Sequence, residues 1–343
     1  MTRVAAIDCG TNTVRLLIAE ADRDQSGRPR LEVLCRRNEI VRLGQGVDRT
    51  GMLDPEALER TLRVVAAYAT DCDELGVAPG EAVRRFVATS ATRDASNRED
   101  FVAGVRRLLG IEPEVVSGQE EARLSFSGSL LGARGAEGAE VQGRAGRVPA
   151  PRLVVDLGGG STELVLGMDE PSVAISLDTG SVRITERFLS SGVTVGAEAA
   201  ARAEVRGLLD DAERVVDLSA PGRLVGLAGT ITTVTAHALG LQDFDPQALN
   251  GAELSSDAVL ASCEALIHST AEQRASWGYL APGRRDVIAA GALVWSEVVT
   301  RVVERTAAAG RPLERVTTSL YDILDGIALS LVPAQAGPEG DEV

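Results

Sequence analysis

Asp8-Cys9-Gly10-Thr11-Asn12-Thr13 and Asp156-Leu157-Gly158-Gly159-Gly160-Ser161-Thr162 each set an acid, bare backbone and hydroxyls within a few residues of one another. Glycine lets backbone N–H groups approach an anion with no side chain in the way. The hydroxyls of Thr11, Thr13, Ser161 and Thr162 and the amide of Asn12 add donors suited to phosphate oxygens. An aspartate repels phosphate, so Asp8 and Asp156 make sense with a hard divalent cation between acid and ligand, and Mg²⁺ fits best. A third segment, Ala228-Gly229-Thr230, follows an apolar strand and opens a helix. A helix N-terminus reached through glycine and threonine is a ready anion site.

The two hairpins that carry these residues are copies of each other. "AIDCGTNTVRLLI" and "VVDLGGGSTELVL" align without gaps, with Asp8 on Asp156, Gly10 on Gly158, Thr13 on Ser161 and Arg15 on Glu163. A single internal repeat implies two related halves facing each other across a cleft, where ligands most often sit. Strands alternate with helices throughout, which predicts an α/β fold. "DPEALERTLRVVAAYATDCDEL" is an amphipathic helix capped by Asp54 with Pro55 at its first position. "NREDFVAGVRRLLG" is a second, with Asn97 as its cap and Gly110 as its stop. "EPEVVSG" reads as a strand and "QEEARLSFSGSLLG" as a helix. The Gly/Ala-rich segment 132–151 predicts a mobile surface loop, and 334–343 a disordered tail.

Composition removes several classes of function. The formal net charge is −15, and every basic residue is arginine, so no P-loop lysine exists and general nucleic-acid binding is not expected. An anionic substrate must then be met by a local arginine cluster or by metal ions. Four scattered cysteines and two isolated histidines indicate neither a disulfide framework nor a zinc site nor a Ser-His-Asp triad. His237 reads as a packing residue. No apolar run approaches the ~20 residues of a membrane span, and "MTRVAAIDCG" enters a strand at once. A cytoplasmic protein without membrane attachment is expected.

Two phosphate hairpins and a third glycine turn resemble the actin, Hsp70 and sugar-kinase superfamily. Within it the chain resembles the exopolyphosphatase / guanosine pentaphosphate phosphatase (Ppx/GppA) family, through "AAIDCGTNTVRLLIA", "VRLGQGVD", "VATSATRDASN", "VVSGQEEARLSF", "LVVDLGGGSTELVLG", "GLAGTITT", "PGRRDVIAAGA" and "YDILDGIALSL". The resemblance implies two actin-like (ribonuclease H-like) domains around a central cleft. The first would span 1–124 with a returning C-terminal helix over 318–333, and the second 125–317.

It further implies that Glu121 is a general base activating water, and that Asp156 and Glu163 hold the cation, with Asp8 a further candidate. Arg93 is the implied phosphate contact, with Arg285 a second; Arg284 is able to take the latter's place. The implied activity is exopolyphosphatase: Mg²⁺-dependent release of orthophosphate from inorganic polyphosphate. Short chains are expected, because the histidine-rich helical module of longer relatives is missing from this sequence. The same machinery would serve a phosphatase converting pppGpp to ppGpp, and an ATP-dependent kinase is a third enzymatic option. A non-catalytic sensor of polyphosphate or (p)ppGpp is the alternative of another class. A homodimer is also implied.

Overall fold

The structure, a computed structural model, describes residues 2–140 and 151–333, with backbone alone over 132–140. In the first lobe β1 (Thr2–Cys9), β2 (Thr13–Arg23) and β3 (Pro29–Ile40) form an antiparallel meander. β4 (Arg84–Ala88) and β5 (Glu114–Val115) extend it in parallel beyond β1, in the order β3-β2-β1-β4-β5. The second lobe repeats this plan. β6 (Arg152–Leu157), β7 (Thr162–Gly167) and β8 (Pro171–Leu177) are the meander, and β9 (Arg223–Leu227) and β11 (Arg315–Thr318) extend it in parallel. β10 (Glu253–Ser255) adds an antiparallel edge, in the order β10-β11-β9-β6-β7-β8. With the edge strand β10 set aside, both sheets run third-second-first-fourth-fifth, the ribonuclease H-like order of actin-like folds. The repeat read from sequence is a repeat of topology.

Helices cover both faces of these sheets, so the central strands are apolar on both sides. Val4 to Ile7 of β1 are fully buried. Phe86 and Phe101 meet edge to face at 5.9 Å in the first core, where the Tyr68 hydroxyl donates to the Val14 carbonyl at 3.0 Å. Trp295, fully buried on the helix Ile288–Ala308, belongs to the second. The C-terminal helix Ile323–Ser330 returns to the first sheet, packing Ile323, Leu324 and Ile327 with Ala6, Leu17 and Leu124. It crosses the helix Gly118–Glu140 at backbone contact. A side chain at Gly128 would strike the Asp322 carbonyl, and one at Gly326 the Leu124 carbonyl.

Asp54 caps the helix Pro55–Glu74, accepting from Glu56 N and Ala57 N, and Gly110 ends Arg98–Leu109 at φ 70°. Asn97 stands at the N-cap of that second helix without capping it. Its amide instead bonds both backbone groups of Leu53, a tertiary use that takes the side chain away from the helix. The expected strand "EPEVVSG" shrinks to two paired residues, since Pro113 has no N–H to offer and Gly118 already starts the next helix. That helix continues to Glu140, so the loop expected from 132 begins no earlier than 141. The alanines at 133, 136 and 139 favour the helical turns. The remainder, 141–150, and the tail 334–343 lie outside the described residues. His237 packs edge-on against Trp277 at 5.4 Å.

The lobes touch along one flank of the cleft. Asp48 accepts from Arg187 at 2.6 and 2.7 Å and pairs with Arg183. Glu186 accepts from Gly46 N at 2.9 Å, and Arg42 pairs with Asp286 at 2.9 Å. Among the described residues no helix is long and apolar enough to cross a membrane.

Candidate active site

The two hairpins close identically: Gly10 N donates to Thr13 O at 2.9 Å, and Gly158 N to Ser161 O at 3.0 Å. Across the first, Asp8 stands opposite Arg15; across the second, Asp156 stands opposite Glu163. Between them lies a cleft. The first lobe lines it with Asp8, Gly10 to Thr13, Arg15, Thr89, Ser90 and Glu121. The second lobe contributes Asp156, Gly158, Gly159, Ser161, Glu163, Ser181, Gly229, Thr230 and Arg284.

Four expected site residues lie off this cleft. Gly160 is packed between the lobes, where a side chain would meet Thr11 and Ser90. Thr162 is fully buried and spends its hydroxyl on the Thr179 carbonyl at 2.8 Å. Arg93 donates to the Val116 carbonyl at 2.9 Å and to Glu121 at 3.3 Å, so its guanidinium serves the expected base. Arg285 reaches the Ala275 carbonyl at 3.2 Å instead. Its neighbour Arg284 enters the cleft, because the Pro282–Arg284 turn sends the two side chains apart. Gly229 leaves the space that Arg284 fills, since a Cβ there would collide with the guanidinium.

Arg15 is the principal residue that sequence reading left without a role, although the repeat set it on Glu163. Its guanidinium grips Asp8 at 2.7 Å and also pairs with Asp322, which caps the C-terminal helix. Asp8 is therefore neutralised within its own hairpin. Ala228, at the head of the helix Ala228–Ala238, holds φ 71°, a left-handed conformation that costs a non-glycine residue about 1–2 kcal/mol. Such strain clusters at functional sites.

Asp156 and Glu163 are in the opposite condition. Both are buried, and no guanidinium among the described residues pairs with either. Ser125 donates to Asp156 at 2.5 Å and Ser176 to Glu163 at 2.8 Å. Burial pushes the Asp156 carboxyl up to about 6, with the charge of Asp322 adding to it. Glu163 rises well above the carboxylate range through burial and then the charges of Glu121 and Asp156. Burial lifts Asp8 despite Arg15. Glu121 is pushed to about 8 by burial, with Arg93 pulling the other way and Asp156 adding to the rise. Buried carboxylates without a cationic partner are costly. The chemistry of this oxygen-donor set is that of a site for a hard divalent cation.

The profile of the Ppx/GppA phosphatase family matches residues 18–309. Exopolyphosphatase 2 of Mycobacterium tuberculosis is 43% identical over 337 residues, spanning 96% of this chain and 99% of that protein. The crystal structure of an exopolyphosphatase-like protein superposes with a TM-score of 0.84 at 40% identity, covering 96% of this chain and 97% of the other. A Ppx/GppA family member from Aquifex aeolicus superposes with a TM-score of 0.73 at 27% identity, with coverage of 96% and 97%. A two-lobed α/β fold with a phosphate-type cleft and a buried glutamate defines a phosphohydrolase. The chain belongs to the Ppx/GppA phosphatase family.

Proposed function

We propose that this phosphohydrolase is an exopolyphosphatase, cleaving the terminal phosphoanhydride bond of short inorganic polyphosphate chains and releasing orthophosphate. The observation that carries the reading is Glu121: a buried carboxyl with a raised pKa, opening onto the cleft between two glycine hairpins. The backbone N–H of Gly159, the hydroxyls of Thr11, Thr13, Ser161 and Thr230, and the amide of Asn12 bind the terminal phosphoryl oxygens, while Gly10 and Gly158 hold the hairpin turns open to them. Arg284 supplies the cationic contact, in keeping with guanidinium recognition of phosphate. Glu121 takes a proton from water as the water oxygen bonds to the terminal phosphorus. The bridging P–O bond breaks, and its electrons leave with the shortened chain. Arg93 holds the Glu121 carboxylate in orientation and favours its ionised form. Mg²⁺ bound by Asp156 and Glu163 would supply charge neutralisation at the phosphoryl oxygens. A cytoplasmic homodimer belongs to the same proposal on family resemblance.

The test is orthophosphate release with Mg²⁺, comparing short polyphosphate, long polyphosphate, pppGpp and ATP side by side. Preferential release from short polyphosphate is expected. Preferential release from pppGpp would make the protein a pppGpp 5′-phosphohydrolase. Tight pppGpp or polyphosphate binding without turnover would overturn the enzyme reading in favour of a sensor.

A further inference from the structure

We propose that Ser125 is a positioning residue that fixes the cation-facing Asp156 relative to Glu121; the inference rests on the cation reading above. Glu121 and Ser125 are four residues apart on the helix Gly118–Glu140, so they share one face, about 6 Å apart along the axis. Glu121 faces the cleft, and Ser125, fully buried, reaches β6, where its Oγ lies 2.5 Å from Asp156 Oδ2. A buried serine within a helix commonly returns its hydroxyl to a carbonyl of its own preceding turn. Ser129, one turn on, does so, donating to Phe126 O at 2.7 Å. Ser125 spends its hydroxyl on Asp156 instead.

The consequence is mechanical. One carboxylate oxygen of Asp156 is anchored, which leaves Oδ1 for another ligand. The anchor lies one helical turn on from Glu121 along the same helix, so water activation and cation holding share one rigid mount. A similar hydroxyl contact secures Glu163: Ser176 donates to its Oε1, and Gly118, at the head of the same helix, packs so closely on Ser176 that a side chain there would collide. Such hydrogen-bonded supports typically change metal affinity or activity 10–100-fold when removed.

The experiment is calorimetric titration of the full-length protein with Mn²⁺ as probe, for wild type, Ser125→Ala and the control Ser129→Ala. The cleft component is identified as the one that Asp156→Asn removes. Ser125→Ala is expected to weaken that component about 10–100-fold and to lower kcat with polyphosphate KM nearly unchanged, while Ser129→Ala retains wild-type Mn²⁺ affinity. Unchanged thermal midpoints establish that each variant is folded. If the wild type binds Mn²⁺ in the cleft and Ser125→Ala binds it equally well, the positioning role is overturned alone. If the wild type shows no cleft component, the cation reading falls and this inference with it.

Discussion

Arg284 occupies the space that a side chain at Gly229 would fill, and among the described residues it forms no ion pair. Burial lowers its pKa to about 10, leaving it charged at neutral pH and facing the cleft. A desolvated guanidinium without a carboxylate partner is a receptor for an anion.

Gly229→Ala should displace Arg284 and raise KM for polyphosphate about 10–100-fold, the range of one charge-assisted contact of about 1.5–3 kcal/mol. Arg284→Ala should match it. Arg285→Ala, whose side chain bonds the Ala275 carbonyl, should change KM by less than about threefold, within the ordinary spread for a surface substitution. Steady-state phosphate release decides between the neighbours.

Glu121→Gln should lower kcat by about 10²–10⁴-fold and leave polyphosphate binding nearly intact. The carboxyl rests near 8, and a base must be ionised. At limiting Mg²⁺ the rate should climb with pH, with its midpoint near 8 and a plateau about one unit above. Saturating Mg²⁺ offsets the charge of Asp156, which raises Glu121, so the limb should shift to lower pH. A pH–rate profile whose acid limb ignores Mg²⁺ would contradict the assignment.

The metal-free protein should lose stability as pH rises. Glu121 and Asp156 ionise near 8 and 6 when folded but near 4 when unfolded. Between about pH 4 and pH 8 the folded state therefore holds protons that the unfolded chain has released, and stability falls across that window. In EDTA the thermal midpoint should drop from pH 5 to pH 8, and Mg²⁺ should raise it more at pH 8 than at pH 5. Equal Mg²⁺ stabilisation at both pH values would count against Asp156 as a holder.

Asp48→Asn should loosen the flank where Arg183 and Arg187 converge. Hydrogen bonds from Arg187, helped by the charges of Arg183 and Arg187, hold the Asp48 carboxyl below the usual range against the opposing effect of burial. This latch is intact at neutral pH and is lost as pH falls through that depressed value. Small-angle scattering of the ligand-free variant should show a larger radius of gyration than wild type, with the difference shrinking when polyphosphate and Mg²⁺ are added. Identical dimensions in all four conditions would exclude lobe closure.

Gly128→Ala tests the helix crossing. The added methyl meets the Asp322 carbonyl, and overpacking of this kind costs about 1–3 kcal/mol. The thermal midpoint should fall by several degrees, at about 2–4 °C per kcal/mol.

Much of this was legible in the chain. The gapless match of Asp8 to Asp156 marks a duplication, and both sheets obey it in strand order and hairpin closure. Asp54, Pro55 and Gly110 signal helix ends through interactions with residues next to them. What stayed hidden depends on distance or on rotation. Arg15 and Asp322 are 307 positions apart, and no local pattern joins them. Arg284 and Arg285 are adjacent, so only the turn decides which enters the cleft. Gly160 and Thr162 look like ligand donors within their motif, yet the opposite lobe and the Thr179 carbonyl claim them.

The duplication has a further consequence at Arg15 and Glu163. These residues occupy equivalent places, yet one copy pairs its aspartate with a cation and the other with a second acid. Two equal halves would offer a ligand two interchangeable ways to lie. The opposite charge signs at Arg15 and Glu163 remove that equivalence. A linear phosphate chain reads the same from either end, but the cleft that receives it does not.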